Sequence, residues 1–299
     1  MSDQPTFKTL LSEYPNTRAL RSGALRPSGF NFEFADVKVA NRGFKRAVRE
    51  LEFDVAELAL VTYFQAKAYG KPLALLPAVV GAGRFQHHCL VYNAERPRVT
   101  VAGLAGKRIG IRAHAQTTVT WVRGVLANDY GVPLDRVQWT TFEDGHLAEF
   151  ADPSGFERAP AGKTMVGMLL AGELDAAIIG TDLPDDPRLQ PVLPDPHAAA
   201  PAWSARHGML PINHMVAVRT ELCQEQPERV RELYRLLLAG KQQSGVTAVP
   251  DLTPYGVEPN RRALDLLARY AQEQGLIPQA YTTDELFGDF YRLFPDQAP

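Results

Sequence analysis

The segment around residues 112–123 carries side chains that could bind a small anion. A predicted strand ends at Arg112 and a predicted helix begins close by, where Thr117 or Thr118 could cap it. The N–H groups and positive dipole end of such a helix are worth roughly 0.3–1 kcal/mol to an anion. Because that is too little for tight binding, a cation should assist, and Arg112 and Arg123 are the local candidates. An ordinary strand–helix turn without a ligand is the alternative.

Histidines at two places could transfer protons near neutral pH. His87 and His88 fall in a predicted strand over residues 87–92, where successive side chains face opposite sides and cannot bind one metal together. His214 follows Asn213 immediately before an apolar strand, and the Asn213 amide could hold a carboxylate or hydroxyl by hydrogen bonds. A purely structural role is the alternative for each histidine.

A carboxylate and two hydroxyls join these candidates. Glu57 interrupts an otherwise apolar run, and a carboxylate buried there must be paired or hydrogen-bonded, or its pKa rises. It could orient a histidine or an arginine of a site, or it could be a structural partner. Thr62 and Tyr63 follow near a predicted helix start and could offer hydroxyls to a ligand.

Strand and helix patterns alternate over most of the chain, which predicts an α/β fold with mainly parallel sheets. Apolar runs predict strands at 32–37, 54–58, 73–79, 87–92, 108–112, 137–141, 176–179 and 215–218. Helical periodicity predicts helices at 42–51, 59–69 and 117–130, and a helical C-terminal part at 228–241, 261–274 and 284–294. Prolines and aspartates over 181–201 predict a long surface connection.

The order of these elements predicts two lobes, the first of them discontinuous. We expect residues 1–97 and 212–299 in lobe I and residues 98–211 in lobe II. The length of 299 residues agrees with two domains of roughly 150 residues each.

Composition limits the classes of binding partner and the cellular compartment that we expect for this chain. The formal net charge is −2, so no overall positive field favours nucleic acid or an anionic membrane. No apolar run approaches the roughly 20 residues that span a bilayer, and the N-terminal segment lacks the pattern of a secretory signal. Cys89 and Cys223 match no metal or redox spacing. We therefore expect a cytoplasmic protein that binds neither nucleic acid nor membrane.

Several enzyme classes lack their motifs. The chain has no Gly-x-Ser-x-Gly elbow, no His-Glu-x-x-His helix and no Gly-x-Gly-x-x-Gly after a first strand. A serine hydrolase, a zinc protease and a dinucleotide-dependent enzyme are therefore disfavoured. No set of metal ligands is recognised either.

At a series of segments the chain resembles the 4,5-dihydroxyphthalate decarboxylases. The matching stretches are 53–57 with Thr62 and Tyr63, Phe85 with His87, 104–110 with 116–117, 121–124, 168–176, and Arg206 with 211–214. They run in order from about residue 50 to 220. The stretch 170–176 is common to many type-2 solute-binding folds and supports the fold more than the activity.

The resemblance implies a two-lobed, type-2 periplasmic-binding-protein-like fold with a hinge and an interlobe cleft. It also implies loss of CO2 from an anionic, hydroxylated aromatic substrate without a metal or organic cofactor. His87 and His214 are the expected proton-handling pair, with His114 and Glu57 as second choices. The expected substrate-binding residues are Arg112, Gln116, Thr117, Thr118, Thr62, Tyr63, Asn213 and Arg206. Departures from the family pattern at 111–116 and 86–88 leave the exact substrate open.

Two other functions stay open at this point. One is a non-catalytic binding or sensor protein for a small anion, and the other is a biosynthetic enzyme with an unrelated small substrate. Both use the same fold, and a fold by itself does not decide between them. The sequence also leaves open whether the protein forms a homo-oligomer.

Overall fold

The structure, a computed structural model, describes residues 4–299. Residues 1–3, the start of the segment searched for a secretory signal, lie outside the described residues. The eleven strands found within residues 4–299 are β1 Thr6–Leu10, β2 Asn31–Phe34, β3 Val55–Ala59, β4 Leu73–Val79, β5 Leu90–Asn93, β6 Arg108–Ile111, β7 Gln138–Thr141, β8 Phe156–Arg158, β9 Ala176–Ile178, β10 Leu189–Pro191 and β11 His214–Arg219.

Helices account for much of the remaining chain. The eleven α-helices of the same described residues are α1 Arg18–Arg21, α2 Phe44–Arg49, α3 Leu60–Ala68, α4 Thr117–Tyr130, α5 Met165–Ala171, α6 Pro196–His207, α7 Thr220–Glu225, α8 Pro227–Gln243, α9 Arg261–Glu273, α10 Thr283–Leu286 and α11 Gly288–Leu293. No helix within residues 4–299 has both the length and the apolarity needed to cross a bilayer.

The chain folds into two compact units. The first comprises the chain up to Arg84 together with Ile212–Pro299, and the second is Phe85–Pro211. The sequence analysis placed the first of these boundaries after residue 97. The difference arises because β5 hydrogen-bonds to β9 and β10, which makes it part of the second sheet.

The first unit contains a five-stranded mixed sheet of order β2-β1-β3-β11-β4. β1 pairs in parallel with β2 and β3, whereas β11 runs antiparallel to β3 and β4. Every residue of β3 and β4 is buried, as expected for strands covered on both faces. The register places His214, at the start of β11, opposite Ala59, at the end of β3.

The C-terminal part of the first unit is helical, as predicted. α8 buries Val230, Leu233 and Leu237 along one face, which is the spacing of an amphipathic helix. The single helix predicted over 284–294 is instead two short ones, α10 and α11. α10 begins with a capping box between Thr282 and Glu285.

The second unit contains a six-stranded sheet of order β10-β5-β9-β6-β7-β8. Its pairs from β9 to β8 are parallel, whereas β5 is antiparallel to β9 and β10. α4 packs Val119, Val122 and Leu126 into one apolar cluster, which confirms the apolar face predicted for that helix. α5 contributes Met168 and Leu169 to another cluster. Both sheets of the protein are therefore mixed.

Two local predictions are wrong. His87–Cys89 form a 3-10 helix and the strand begins at Leu90, so the strand argument that put His87 and His88 on opposite faces does not apply. The surface connection predicted over 181–201 contains β10 and the beginning of α6. Asp195 caps α6 by accepting a hydrogen bond from the backbone amide of Ala198, which stabilises the start of this helix.

Candidate active site

A fully buried carboxylate, that of Glu57, lies in the middle of β3. Its Oε1 is 2.7 Å from Nδ1 of His214 and accepts a 2.7 Å hydrogen bond from the Tyr14 hydroxyl. Its Oε2 accepts a 2.9 Å hydrogen bond from the backbone amide of Ser12. These three donors offset the free-energy cost of burying a charge in an apolar strand.

Strand pairing explains why these residues meet. β1 and β11 flank β3 on its two sides, and the chain leaving β1 supplies Ser12 and Tyr14. His214 is opposite Ala59, two residues beyond Glu57 on β3. Residues two apart on a strand share a face, and diagonal neighbours across strands are within reach of long side chains. The carboxylate and the imidazole therefore meet on one face of the sheet.

Glu57 keeps its charge although it is buried. Burial by itself raises its pKa, but the hydrogen bond and charge interaction with His214, and then the bonds from Tyr14 and Ser12, lower the pKa below the ordinary value of 4.5. Burial and the nearby Glu57 charge raise the pKa of Tyr14, so its hydroxyl stays protonated and donates. An ionised carboxylate can only accept, so His214 carries a proton on Nδ1.

This arrangement leaves Nε2 of His214 available for proton exchange. The His214 side chain is 27% exposed, and the Phe44 ring stands edge-on to it with 5.4 Å between ring centroids. A buried carboxylate that fixes the tautomer and orientation of a histidine is the device used in Ser-His-Asp catalytic sites. The first unit therefore contains a histidine prepared for general acid–base chemistry.

Of the other candidates in the first unit, two lie at the start of α3 and one lies in the core. The carbonyl of Asn213 accepts a hydrogen bond of 2.8 Å from the first amide of α3, and Thr62 is buried in the first turn of that helix. The Tyr63 hydroxyl instead contacts the backbone carbonyls of Leu73 and Leu286 in the core. Asn213 and Thr62 thus share the start of α3 with His214, while Tyr63 has a structural position.

The predicted anion-binding residues of the second unit lie between β6 and α4. Gln116, rather than Thr117 or Thr118, is the N-cap residue of α4, and the Gln116 side chain forms no capping hydrogen bond. The prediction of a threonine cap is therefore wrong: both threonines lie inside the first turn, where they are buried. Nε of Arg112 is 3.8 Å from the Glu143 carboxylate. Anion binding at this helix start stays a prediction.

His114 lies in an aromatic cluster of the second unit. It is fully buried, with its ring centroid 4.2 Å from that of Phe156 and 5.8 Å from that of Phe150. The cluster places an imidazole directly after β6, beside the residues predicted to bind the anion. A role for His114 in proton transfer also stays a prediction.

His87 and Arg206 lie on two elements of the second unit that contact each other. These are the 3-10 helix His87–Cys89 and α6. His87 is 3% exposed and stands edge-on to Trp203 with 5.7 Å between centroids. Burial lowers the pKa of His87 to about 4, so its imidazole is neutral at neutral pH. Arg206 on α6 pairs at 3.2 Å with Asp129, which also accepts a hydrogen bond from Trp203. Its exposed side chain therefore has a surface partner on α4.

Within residues 4–299 no three His, Cys, Asp or Glu side chains are grouped to hold a metal ion.

Comparison with known proteins identifies the family. No protein-family profile matches the chain. The 4,5-dihydroxyphthalate decarboxylase of Comamonas testosteroni is 30% identical over 229 residues, which cover 73% of this chain and 69% of that protein. The chain belongs to the 4,5-dihydroxyphthalate decarboxylase family. The decarboxylase of the same name from Pseudomonas putida is 33% identical over 173 residues, covering 54% of this chain and 66% of that protein.

Membership of this decarboxylase family confirms the prediction of a carboxy-lyase. Solved structures at lower identity show the fold alone. The alkanesulfonate-binding protein SsuA from Xanthomonas axonopodis pv. citri, bound to MOPS, matches with a TM-score of 0.55 at 13% identity, over 96% of this chain and 99% of that one. The desulfurization enzyme DSZB matches with a TM-score of 0.52 at 14% identity, over 97% and 99%. The predicted periplasmic-binding-protein-like fold is confirmed, whereas its hinge and cleft stay predictions.

Sequence reasoning missed two residues around the carboxylate of this family member. Ser12 and Tyr14 follow β1, which the sequence analysis left unassigned. The alternation of exposed and buried residues in β1 is a signal that could have revealed the strand. Nothing in the local pattern indicates that the Tyr14 hydroxyl reaches Glu57, a residue 43 positions away.

Proposed function

We propose that this decarboxylase removes CO2 from a hydroxylated aromatic dicarboxylate such as 4,5-dihydroxyphthalate, with His214 transferring the proton. The observation that carries the proposal is the 2.7 Å contact between the buried Glu57 carboxylate and Nδ1 of His214. This contact orients the imidazole and leaves Nε2 to exchange a proton with a substrate. The two similar decarboxylases, named for 4,5-dihydroxyphthalate, support the substrate class.

The proposed reaction follows from the substitution pattern of the ring. In 4,5-dihydroxyphthalate each carboxylate is para to a hydroxyl, which pushes electron density towards the carbon that bears the carboxylate. That carbon takes a proton from Nε2 of the His214 imidazolium. The bond to the carboxylate then breaks, its electron pair restores the aromatic ring, and CO2 leaves. Each turnover consumes one proton and yields a catecholic monocarboxylate.

The substrate itself accepts the electrons, so the proposed reaction requires no pyridoxal, thiamine or flavin. Glu57 supports the step because its negative charge stabilises the imidazolium that donates the proton. General acid–base assistance is typically worth about 10²–10⁴-fold in rate. Positioning of the substrate must supply the remainder of the acceleration.

Residues of the second unit enter this proposal as predicted contributors. Arg112, Gln116 and Thr117 are the predicted carboxylate ligands. His87 is the second predicted proton carrier. Burial lowers its pKa to about 4, so its imidazole is neutral at neutral pH and is not an imidazolium ready to donate a proton.

The test is incubation of the purified protein with 4,5-dihydroxyphthalate, with CO2 trapped and the aromatic product separated by chromatography. We expect equal amounts of CO2 and 3,4-dihydroxybenzoate, and a loss of about 10²–10⁴-fold in kcat for His214→Gln. His207→Gln is the matched control, because the His207 ring packs against Trp203 in the second unit and His207 is not one of the predicted site residues. Full turnover by His214→Gln contradicts the role of His214.

Two further outcomes distinguish the alternatives. A substrate that raises the melting temperature without releasing CO2 would indicate a non-catalytic binding protein. Treatment with a chelator should leave the rate unchanged. A lost rate that returns on addition of a divalent metal would contradict the cofactor-free mechanism.

A further inference from the structure

Arg123, on the second turn of α4, is a buried arginine with hydrogen-bond donors that lack acceptors among residues 4–299. Its side chain is 5% exposed, and its Nε and Nη1 have no hydrogen-bond partner among residues 4–299. Its guanidinium carbon is 4.7 Å from the ring centre of Trp139 and 5.4 Å from that of Phe156. Burial lowers the pKa of Arg123 to about 9, which still leaves it charged at neutral pH.

Aromatic rings satisfy the faces of a guanidinium but not its edge. Cation–π contacts stabilise a guanidinium through its faces, whereas the five N–H donors point outward in the guanidinium plane. A buried charge without a counter-charge is destabilising. The fork formed by Nε and one terminal nitrogen matches the two oxygens of a carboxylate. The chemistry that completes this site is therefore a planar anion.

The surroundings of Arg123 suit a carboxylate attached to an aromatic ring. The rings of Trp139 and Phe156 are nearly parallel, at 15° and 6.3 Å between centroids, and the other neighbour of Phe156 is His114. Phe156 is only partly buried and lies on β8, the outermost strand of the sheet, which is three residues long. The guanidinium of Arg123 therefore adjoins a partly buried ring at the edge of the sheet.

We propose that Arg123 recognises a carboxylate of the aromatic substrate, with the guanidinium donating hydrogen bonds to the carboxylate oxygens and the substrate ring packing against Phe156. The identity of the ligand rests on the proposed function. The recognition step does not require turnover, so it can be tested separately.

The experiment measures binding of phthalate (benzene-1,2-dicarboxylate) to the full chain by calorimetry. Phthalate lacks the ring hydroxyls that drive the proposed reaction, and catechol serves as the probe without carboxylates. The variants are Arg123→Met, Arg123→Lys and, as the control, Arg136→Met, which removes an exposed arginine of the same unit. The melting temperature without ligand is measured for each protein.

We expect wild type and Arg136→Met to bind phthalate with equal affinity and to show no binding of catechol. Arg123→Met should bind phthalate about 10- to 100-fold more weakly, and Arg123→Lys about 10-fold more weakly because lysine lacks the forked donors. Without ligand, Arg123→Met should melt at the wild-type temperature or above it, because it removes a buried charge that has no partner.

The contrary results are equally specific. Wild-type phthalate affinity in Arg123→Met, together with a lower melting temperature, would assign Arg123 a structural cation–π role and overturn the proposal. Unchanged affinity in Arg123→Lys, an equal loss in Arg136→Met, or no phthalate binding by wild type would also overturn it. If Arg123→Met does not fold, Arg123→Lys decides. A protein that binds phthalate through Arg123 but releases no CO2 from 4,5-dihydroxyphthalate would contradict the proposed function and support this inference.

Discussion

Replacement of Glu57 by glutamine should slow turnover by removing the negative charge that stabilises the His214 imidazolium. Oε2 of Glu57 accepts from the Ser12 backbone amide, and Oε1 from His214 and Tyr14. Glutamine has one oxygen and one NH2 group, so its NH2 must face at least one of these donors. The backbone amide cannot turn away, which places the oxygen at Ser12 and the NH2 at His214. Nδ1 must then accept, so the ring is held neutral with its one proton on Nε2, and a neutral imidazole donates a proton far less readily than an imidazolium.

The size of the effect follows from this loss of the imidazolium. Removal of the corresponding negative charge in a Ser-His-Asp triad costs about 10⁴ in kcat. Because decarboxylation also depends on substrate positioning, we expect a decrease of about 10³–10⁴ in kcat with little change in KM. Bonds to a charged acceptor become neutral, which should lower the free energy of unfolding by about 1–3 kcal/mol without preventing folding.

Steady-state rates and thermal unfolding of Glu57→Gln and wild type, each over a pH series, test this reasoning. The folded-state pKa of Glu57 lies below its unfolded value of 4.5, so its stabilising contribution is present above about pH 4.5 and is lost as the pH falls through the folded-state pKa. The stability difference between the two proteins should therefore shrink on acidification.

A control and two contrary results complete the test. Glu52→Gln removes a carboxylate of the same unit that pairs with Arg46 at 3.2 Å, and it should keep the wild-type kcat. A folded Glu57→Gln variant with kcat within tenfold of wild type would refute the role of the Glu57 charge in stabilising the His214 imidazolium. A stability difference that grows as the pH falls would refute the charge assignment.

Three more changes have defined outcomes. Tyr14→Phe removes one donor to Glu57 and should cost about 1 kcal/mol in urea unfolding and less than tenfold in kcat; a loss as large as that of Glu57→Gln would contradict its supporting role. His87 has a folded-state pKa of about 4 against an ordinary 6.5, so the unfolded chain protonates first and wild type should lose stability between these pH values, at up to about 1.4 kcal/mol per pH unit. His87→Phe should lack this loss, and parallel stability curves would contradict the burial argument. Gly43→Ala places a Cβ 2.6 Å from a Leu10 methyl carbon and should cost about 1–3 kcal/mol in thermal unfolding; a neutral effect would mean that the contact relaxes freely.

Much of the fold could be predicted because its signals are local. Apolar runs predicted β3, β4, β6 and β7 within one or two residues, and periodicity predicted α4, α8 and α9. Predictions failed where short elements carry little pattern, as in the 3-10 helix at His87 and the one-residue break at Phe287 between α10 and α11. β8 and β10, of three residues each, are likewise too short for a periodic signal.

The candidate site could be predicted only in its residue types. The sequence selected Glu57 as a buried carboxylate and His214 as a proton carrier, but it left open whether Glu57 orients a histidine or an arginine. It placed Tyr63 among the ligand candidates, whereas that hydroxyl lies in the core. Whether a side chain on a helix faces a ligand or the core depends on the neighbouring elements, which the sequence does not display.

The sequence by itself determined the α/β class, the helical C-terminal part and the presence of a carboxylate that needs a partner, because periodicity and the cost of burying charge act within a few residues. Tertiary structure decided which partner that carboxylate has. His214 and Tyr14 are 157 and 43 positions from Glu57, and they meet it only because β11 and β1 pair with β3 on opposite sides. The sequence offered Arg123 as one of two cations that could assist an anion. Its packing against Trp139 and Phe156, which lie on strands that follow α4 in the chain, is what the tertiary structure added.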